Sequence, residues 1–331
     1  MVDYQLLNVF GLVRSWGWLQ TTNINQLQLT SLGICRECRE TTGAHVWVAK
    51  QTPPWLWENQ EPDSGRLPRV PPVRVHRLTW ELPQLSPRMK VMISMGAEGW
   101  LSDLQELTFG RDFNDKLDGL VWPRRLQQLS FGSQFNQAIE GIKWPVDLRH
   151  LSFGKRFDQP MDRMEWPAGL RNLVFGENFN QALDRIRWPS ALKRLTFGKY
   201  FNQSINGIIL PRGLEHLTFG SRYDQPVEKV VWPTELRHLT FGEFFNQAVD
   251  YVRWPAGLEK ITFGNFFNQS IDGVKWPVNL QQLKIGDGFK HDVDGMVWPA
   301  DFKLLIIGCC INEAVDGMLW PAGIDICNEF Y

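Results

Sequence analysis

Apolar residues recur along most of this chain with a period of 22 residues. Phenylalanine occupies one phase eight times and isoleucine continues it twice, at Phe109, Phe131, Phe153, Phe175, Phe197, Phe219, Phe241, Phe263, Ile285 and Ile307. Glycine follows every one of these positions, and proline fills a later phase ten times, from Pro123 to Pro321. Tryptophan precedes that proline in nine repeats, with Leu210 as the exception. Repetition at a fixed period of this length is the sequence signature of a solenoid.

Each repeat contains two similar apolar runs separated by turn residues. In the second repeat these runs are Leu126, Leu129 and Phe131, then Ile139, Ile142 and Trp144, with Phe135-Asn136-Gln137 between them. The pattern predicts two extended segments per coil, both directed inward. A period of 22 is too short for two helices and lies in the range of leucine-rich repeats. We therefore predict a β-rich solenoid, a leucine-rich-repeat-like stack of ten 22-residue coils with parallel β-sheet faces.

The turn residues that recur from coil to coil each have a structural interpretation. The glycine after the strand allows either a positive φ or a close approach of two backbones. The proline lacks an N–H donor and should mark an edge or a turn. The asparagine of the Phe-Asn-Gln turn predicts a buried ladder of side-chain amides that satisfies backbone groups of the turn.

These coils resemble FNIP repeats, a leucine-rich-like repeat family named for a Phe-Asn-Ile-Pro motif. The motif reads Phe135-Asn136-Gln137-Ala138-Ile139 in one coil and Phe157-Asp158-Gln159-Pro160-Met161 in the next. The resemblance covers about residues 101–321. The Trp-Pro pair departs from the Leu-Pro that is usual in the family, and only Leu210-Pro211 keeps the usual form.

The remaining segments differ in composition from the repeats. Residues 75–100 repeat the strand rhythm at Val75, Leu78 and Trp80, so they are interpreted as an N-terminal cap coil. Residues 322–331 are assigned as a C-terminal tail. Six prolines between 51 and 74 indicate an extended linker. Residues 1–50 are predicted to form a small helical unit.

The helical unit loosely resembles an F-box. Ile34-Cys35-Arg36 and the downstream Trp47 match the end of that motif, whereas the usual Leu-Pro opening is missing. F-box and FNIP repeats occur together, so the resemblance implies that residues 1–50 dock a Skp-type adaptor of a cullin-type ubiquitin ligase. An unrelated helical cap is the alternative.

Composition limits the function without naming a partner. The 35 Lys and Arg nearly cancel the 36 Asp and Glu, so the basic excess of a nucleic-acid-binding protein is missing. Five cysteines are too few for a disulfide framework, and neither a signal peptide nor a membrane-spanning run is seen. We expect a cytoplasmic or nuclear protein without a cofactor, which neither binds nucleic acid nor inserts into a membrane.

Three groups of residues raise the question of a metal site. Cys35 and Cys38 have CxxC spacing but lack two further zinc ligands with motif spacing, although His45 is near. Nine coils carry an acidic residue at one phase, and we prefer a turn-capping role to calcium because one carboxylate per coil is too few; they are Asp118, Glu140, Asp162, Asp184, Glu228, Asp250, Asp272, Asp294 and Asp316. His216 and His238 should be neighbours, but two histidines without an acidic partner are more often a polar surface.

Residues that bind a partner are expected at the positions that differ in sequence from repeat to repeat. The outward strand positions vary and form a polar, mildly basic stripe that includes His150, Arg194, His216, His238 and Lys260. Two residues after the glycine, four coils carry Tyr200, Arg222, Phe244 and Phe266, the residue types of an interface hot spot if they are exposed rather than packed. We predict a non-enzymatic protein-interaction module that uses these residues; a structural accessory subunit or scaffold of a larger assembly is the alternative.

Overall fold

The computed structural model describes residues 76–81, 84–85, 103–162, 164–291, 293 and 296–308, with further backbone strands at 34–35, 46–49 and 325–328. Two units are formed, Met1–Gln137 with Ile142–Leu148, and Ala138–Gly141 with Arg149–Tyr331. The predicted linker at 51–74 and most of the cap coil and of the helical unit lie outside the described residues. Among those described, no helix is long and apolar enough to cross a membrane.

Short strands supply all the regular secondary structure of the described residues. They are β1 Ile34–Cys35, β2 Val46–Ala49, β3 Arg77–Trp80, β4 Glu106–Phe109, β5 Gln128–Ser130, β6 His150–Ser152, β7 Asn172–Val174, β8 Arg194–Thr196, β9 His216–Thr218, β10 His238–Thr240, β11 Lys260–Thr262, β12 Gln282–Ile285, β13 Leu304–Ile307 and β14 Asp325–Asn328. The ten strands β4 to β13 begin at 22-residue intervals, so each predicted coil contributes one strand.

Parallel pairing without slippage stacks the coils within each unit. In the first unit β1 pairs antiparallel with β2, and β2 to β5 follow in parallel order. In the second unit β6 to β14 are all parallel neighbours in chain order. From β6 to β13 the register joins residues 22 apart, for example Leu217 with Leu239, so equivalent side chains form columns. This confirms the parallel leucine-rich-repeat-like solenoid.

Burial follows the apolar pattern of the coil. In the coil that contains β10, Leu236, Leu239, Phe241, Phe245 and Val249 are all buried. Phe241 and Phe245 stack with ring centroids 4.1 Å apart, and Phe241 also stacks on Phe263 of the next coil at 5.4 Å. Since the same contacts repeat from coil to coil, two aromatic columns run through the core of the second unit.

In the β10 coil the second apolar run has Val249 and Val252 buried and Trp254 half-buried, but the prediction that the run is extended is wrong. A turn lies within this run, where Val252 N donates to Val249 O, and another follows it, where Leu258 N donates to Pro255 O. Proline has a fixed φ and no N–H for a ladder, so the chain bends there instead of pairing. Each coil therefore has one strand and a series of turns.

The tryptophan column is apolar in its contacts. Trp232 stacks on Trp254 with centroids 5.9 Å apart. Seven Nε1 groups among the described residues are buried without a hydrogen-bond partner, those of Trp122, Trp144, Trp166, Trp188, Trp232, Trp254 and Trp276. The position thus uses the area of the ring and not its donor, which explains why Leu210 can take the same place.

Close approach of two backbones explains the glycine that follows each strand. A Cβ on Gly198 would lie 1.8 Å from the carbonyl oxygen of Gly176, and a Cβ on Gly220 would lie 1.7 Å from that of Gly198. Neither residue has the positive φ found at Gly207, so of the two predicted reasons only close approach applies here. Any side chain would separate the coils.

The Asn-Gln turns form the predicted ladder between coils. Asn202 Oδ1 accepts from Asp224 N at 2.9 Å and from Gln225 Nε2 at 3.1 Å. Asp224 Oδ1 in turn accepts from Asn246 N at 2.9 Å and from Gln247 Nε2 at 2.8 Å. Because the side chain acts only as an acceptor, aspartate and asparagine are interchangeable. These side chains are half-buried rather than fully buried.

Candidate partner-binding surface

The four residues predicted as a hot spot form one column on the turns that follow the strands. The backbone N–H of Tyr200 donates to Glu177 O at 2.8 Å, and those of Arg222, Phe244 and Phe266 donate to the preceding coil in the same way. This repeated bond fixes each turn on the one before it and aligns the side chains. We call Tyr200, Arg222, Phe244 and Phe266 the aromatic ridge.

The side chains of the aromatic ridge contact each other and remain exposed. The Arg222 guanidinium lies 4.8 Å from the centroid of the Tyr200 ring, and Lys199 Nζ lies 5.6 Å from it. Phe244 and Phe266 stack with centroids 4.8 Å apart and an angle of 7° between their planes. The exposed fraction is 37% at Tyr200, 43% at Phe244 and 52% at Phe266. A role in an interface requires these rings to be exposed, and they are.

The outward side chains of the strands lie on the sheet surface next to these turns. We call His150, Arg194, His216, His238 and Lys260 the strand face. The register pairs His216 with His238, and their rings meet edge to face with centroids 4.5 Å apart. The side-chain amide of Asn172 donates to His150 Nδ1 at 2.9 Å. The predicted proximity of His216 and His238 is confirmed.

Partial burial lowers the pKa of both neighbouring histidines. At His216 the next causes are the positive charges of His238 and Arg194, which oppose protonation, while Glu215 and Glu259 favour it. At His238 the carboxylate of Glu259 raises the pKa and Lys260, Arg194 and Arg237 lower it, so burial still dominates. Both rings are therefore more strongly held in the neutral form than free histidine is.

The residues one position before the strand-face residues form a column of charged side chains. This column is less basic than its composition suggests. Lys193 Nζ lies 2.7 Å from Glu215 Oε1, and the Arg237 guanidinium pairs with the carboxylate of Glu259. The hydrogen bond from Lys193 lowers the pKa of Glu215. These cations are neutralised within the scaffold and offer little charge to a partner.

One set of surface residues was not singled out from the sequence. Thr196, Thr218, Thr240 and Thr262 occupy the third strand position, half-buried and in register beside the histidines. Their hydroxyl groups add a polar column to the strand face. The same 22-residue period that placed the histidines also marks these threonines.

The acidic residues of the repeats lie on turns that are closed by backbone bonds. Leu120 N donates to Leu117 O across Asp118, and Gly119 adopts a φ of 70°. Asp272 receives a 3.0 Å hydrogen bond from Ser270 Oγ. Asp294, Asp316 and Cys38 lie outside the described residues. In the part of the chain that the structure describes, no three His, Cys, Asp or Glu side chains converge as metal ligands.

Comparison with known proteins agrees with this geometry. The family description FNIP Repeat matches residues 165–200, 186–222 and 201–244. The chain is an FNIP-repeat protein. The crystal structure of CroV588, described as a novel circular LRR protein structure, is 32% identical with a TM-score of 0.62. The match covers 77% of the FNIP-repeat chain and 40% of CroV588, so this chain spans less than half of that protein's length.

Two further solved structures match more weakly. The pneumococcal vaccine antigen PcpA is 13% identical with a TM-score of 0.29, and 78% of this chain and 75% of that one are covered. A leucine-rich repeat protein from Bacteroides ovatus is 10% identical with a TM-score of 0.21, and 68% and 78% are covered. No curated protein matches the chain significantly.

Proposed function

We propose that this FNIP-repeat protein is a non-enzymatic recognition module that binds a protein partner on the aromatic ridge and the adjoining strand face. A repeat solenoid is a fold typical of protein-interaction modules. The observation that carries the proposal is the exposure of three aromatic rings and a stacked arginine in consecutive coils. Aromatic and arginine side chains dominate the binding energy of protein interfaces, and large contiguous apolar surfaces are uncommon on isolated soluble proteins.

Partner capture with matched surface variants tests this proposal. Phe244→Ser with Phe266→Ser in the full chain should abolish capture of crosslinked partners while the circular dichroism spectrum stays unchanged. Ile209→Ser is the control, because Ile209 is 86% exposed but lies outside the ridge. Equal capture by all three proteins would refute the role of the ridge. A fixed-stoichiometry assembly that ignores the ridge variants would favour the alternative role as an accessory subunit.

We further propose that the partner is a substrate of a cullin-type ubiquitin ligase and that residues 1–50 dock a Skp-type adaptor. The support is the F-box resemblance at Ile34-Cys35-Arg36 and Trp47. Backbone strand β2 pairs with β3, so deletion of residues 1–50 would strip a strand from the sheet as well as the docking segment. Substitution within the full chain is the cleaner test.

Purified adaptor and full chain should co-elute in size-exclusion chromatography if this finer proposal holds. Leu6, Leu7 and Phe10 have the spacing of a short helical apolar face, and replacing all three with serine should abolish co-elution. Failure of the unaltered chain to bind the adaptor would refute the ligase role and leave the recognition module intact.

A further inference from the structure

A glycine occupies the ridge position in the coil that follows Phe266. Gly288 N donates to Asn265 O at 2.6 Å, just as Phe266 N donates to Glu243 O, so Gly288 holds the equivalent place in its turn. A Cβ on Gly288 would lie 2.5 Å from that same Asn265 oxygen, so the backbone leaves no room for a side chain. The ridge therefore ends on one side in a gap at Gly288, where the coil carries no side chain.

This gap leaves one face of Phe266 open. Among the described residues, the ring contact of Phe266 is with Phe244 of the preceding coil, which covers its other face. Among the three rings of the ridge, the exposed fraction increases toward the gap and is highest at Phe266. Offset-stacked aromatic pairs favour centroid separations of about 4.5–7 Å, so a planar side chain placed over Gly288 would extend the existing stack.

The opposite end of the ridge carries positive charge. Lys199 and Arg222 both lie over the Tyr200 ring, and neither forms an ion pair with a carboxylate in the described part of the chain. Among the described residues, Arg194 and Lys260 of the strand face also form no ion pair. Glu243, next to Phe244, is a carboxylate that forms none within this part of the chain either. The excess of cations favours an acidic ligand, and a guanidinium held on a ring face keeps its donors pre-organised.

We propose that the ridge binds an extended acidic peptide segment, which stacks an aromatic side chain on Phe266 over Gly288 and places a carboxylate on Arg222 and Lys199. This inference rests on the proposed function and specifies its partner. Coils about 4.8 Å apart put the gap three spacings, or about 14 Å, from Arg222. An extended chain rises about 3.4 Å per residue, so about four residues separate the acidic and aromatic positions.

A peptide spacing series tests the inference directly. Fluorescein-labelled Gly/Ser peptides would carry two adjacent aspartates and one tryptophan separated by two to seven residues, in both orders. Anisotropy with the full chain should show the tightest binding near a separation of four, at least about tenfold tighter than at two or seven, a difference equal to about 1.4 kcal/mol. Phe266→Ala and Arg222→Gln should each weaken that peptide about tenfold. Asn178→Ala, in the same column but outside the ridge, should leave binding unchanged.

Several results would overturn the inference. No binding at any separation up to about 1 mM peptide would do so, as would affinity that is independent of separation or equal affinity for lysine in place of aspartate. Tighter binding of a labelled single-stranded oligothymidylate would assign the ridge to nucleic acid instead. If partner capture depends on Phe244 and Phe266 but these peptides fail, only the peptide chemistry is wrong. If capture ignores the ridge, the proposed function itself is refuted.

Discussion

Tyr200 and Phe201 are neighbours in one turn, and different constraints act on them. Phe201 belongs to a column that is aromatic and fully buried in every described coil, from Phe113 to Phe289. Tyr200 belongs to the adjacent column, where arginine, asparagine, phenylalanine and glycine also occur. The contacts between coils determine the first column, while the second is free to vary. Of these two columns, only the second can vary enough to determine which partner binds.

The largest expected effect on stability comes from a comparison of two glycines. Gly198→Ala should lower the free energy of unfolding by at least about 3 kcal/mol, because its Cβ would overlap a backbone carbonyl that cannot move aside. Gly213→Ala is the control, since its Cβ would meet nothing closer than 3.7 Å. The control should be neutral or stabilising by up to about 1 kcal/mol. Urea unfolding followed by tryptophan fluorescence measures both; equal losses would contradict the close-approach explanation.

The two phenylalanines of one turn should separate stability from binding. Phe245→Ala removes a fully buried ring and should cost about 3–5 kcal/mol. Phe244→Ala removes a half-exposed ring that stacks on one neighbour and should cost about 1 kcal/mol. Only the second variant should remain folded at 37 °C and lose partner capture. A comparable loss of stability in both would show that the ridge is packing and not interface.

One coil carries a polar atom in the buried column and offers a milder test. Tyr223 replaces phenylalanine there, and its hydroxyl is buried without a hydrogen-bond partner. Tyr223→Phe should therefore stabilise the chain by about 1 kcal/mol, and Phe201→Tyr should destabilise it by a similar amount. Burial also raises the pKa of Tyr223, so its phenolate absorbance should appear only on unfolding. A destabilised Tyr223→Phe variant would mean that the hydroxyl has a partner.

The smallest expected effect concerns the histidines of the strand face. Because burial lowers the pKa of His216 and His238, the unfolded chain binds more protons than the folded chain in mild acid. The free energy of unfolding should fall as the pH decreases from 7 toward 5. Replacing both with asparagine, the residue that Asn172 supplies at this phase, should reduce that slope. An unchanged slope in urea titrations would show that these rings do not report folding.

The repeat period predicted the buried columns and the parallel register, because each depends on a rule that holds in every coil. It also assigned the four ridge residues to one position of the coil, but it left open whether their side chains are exposed or packed. The second run, typified by Ile139, Ile142 and Trp144, was assigned the wrong local structure because apolar spacing alone does not separate a strand from a series of turns. The chemistry of proline carried the missing information, since it removes the donor that a ladder needs.

Features between coils were harder to predict than features within them. The salt bridges from Lys193 to Glu215 and from Arg237 to Glu259 depend on which charges meet across the register, and composition alone suggested a basic stripe. The open face of Phe266 depends on a glycine in the following coil. Glycine is not a residue type that indicates a binding site. The effect of Gly288, an uncovered face on Phe266, is visible only once the columns are aligned.

The Asn-Gln ladder gives the array a direction. The oxygen of Asn202 accepts from the coil after it, from a backbone N–H and from a glutamine side-chain amide, and Asp224 repeats the arrangement in the next coil. Duplicating or deleting a segment of 22 residues in frame therefore recreates the junction wherever the coil carries asparagine or aspartate at this position. Gene duplication can lengthen such a chain without inventing a new contact, and each added coil brings one further ridge position that is free to diverge.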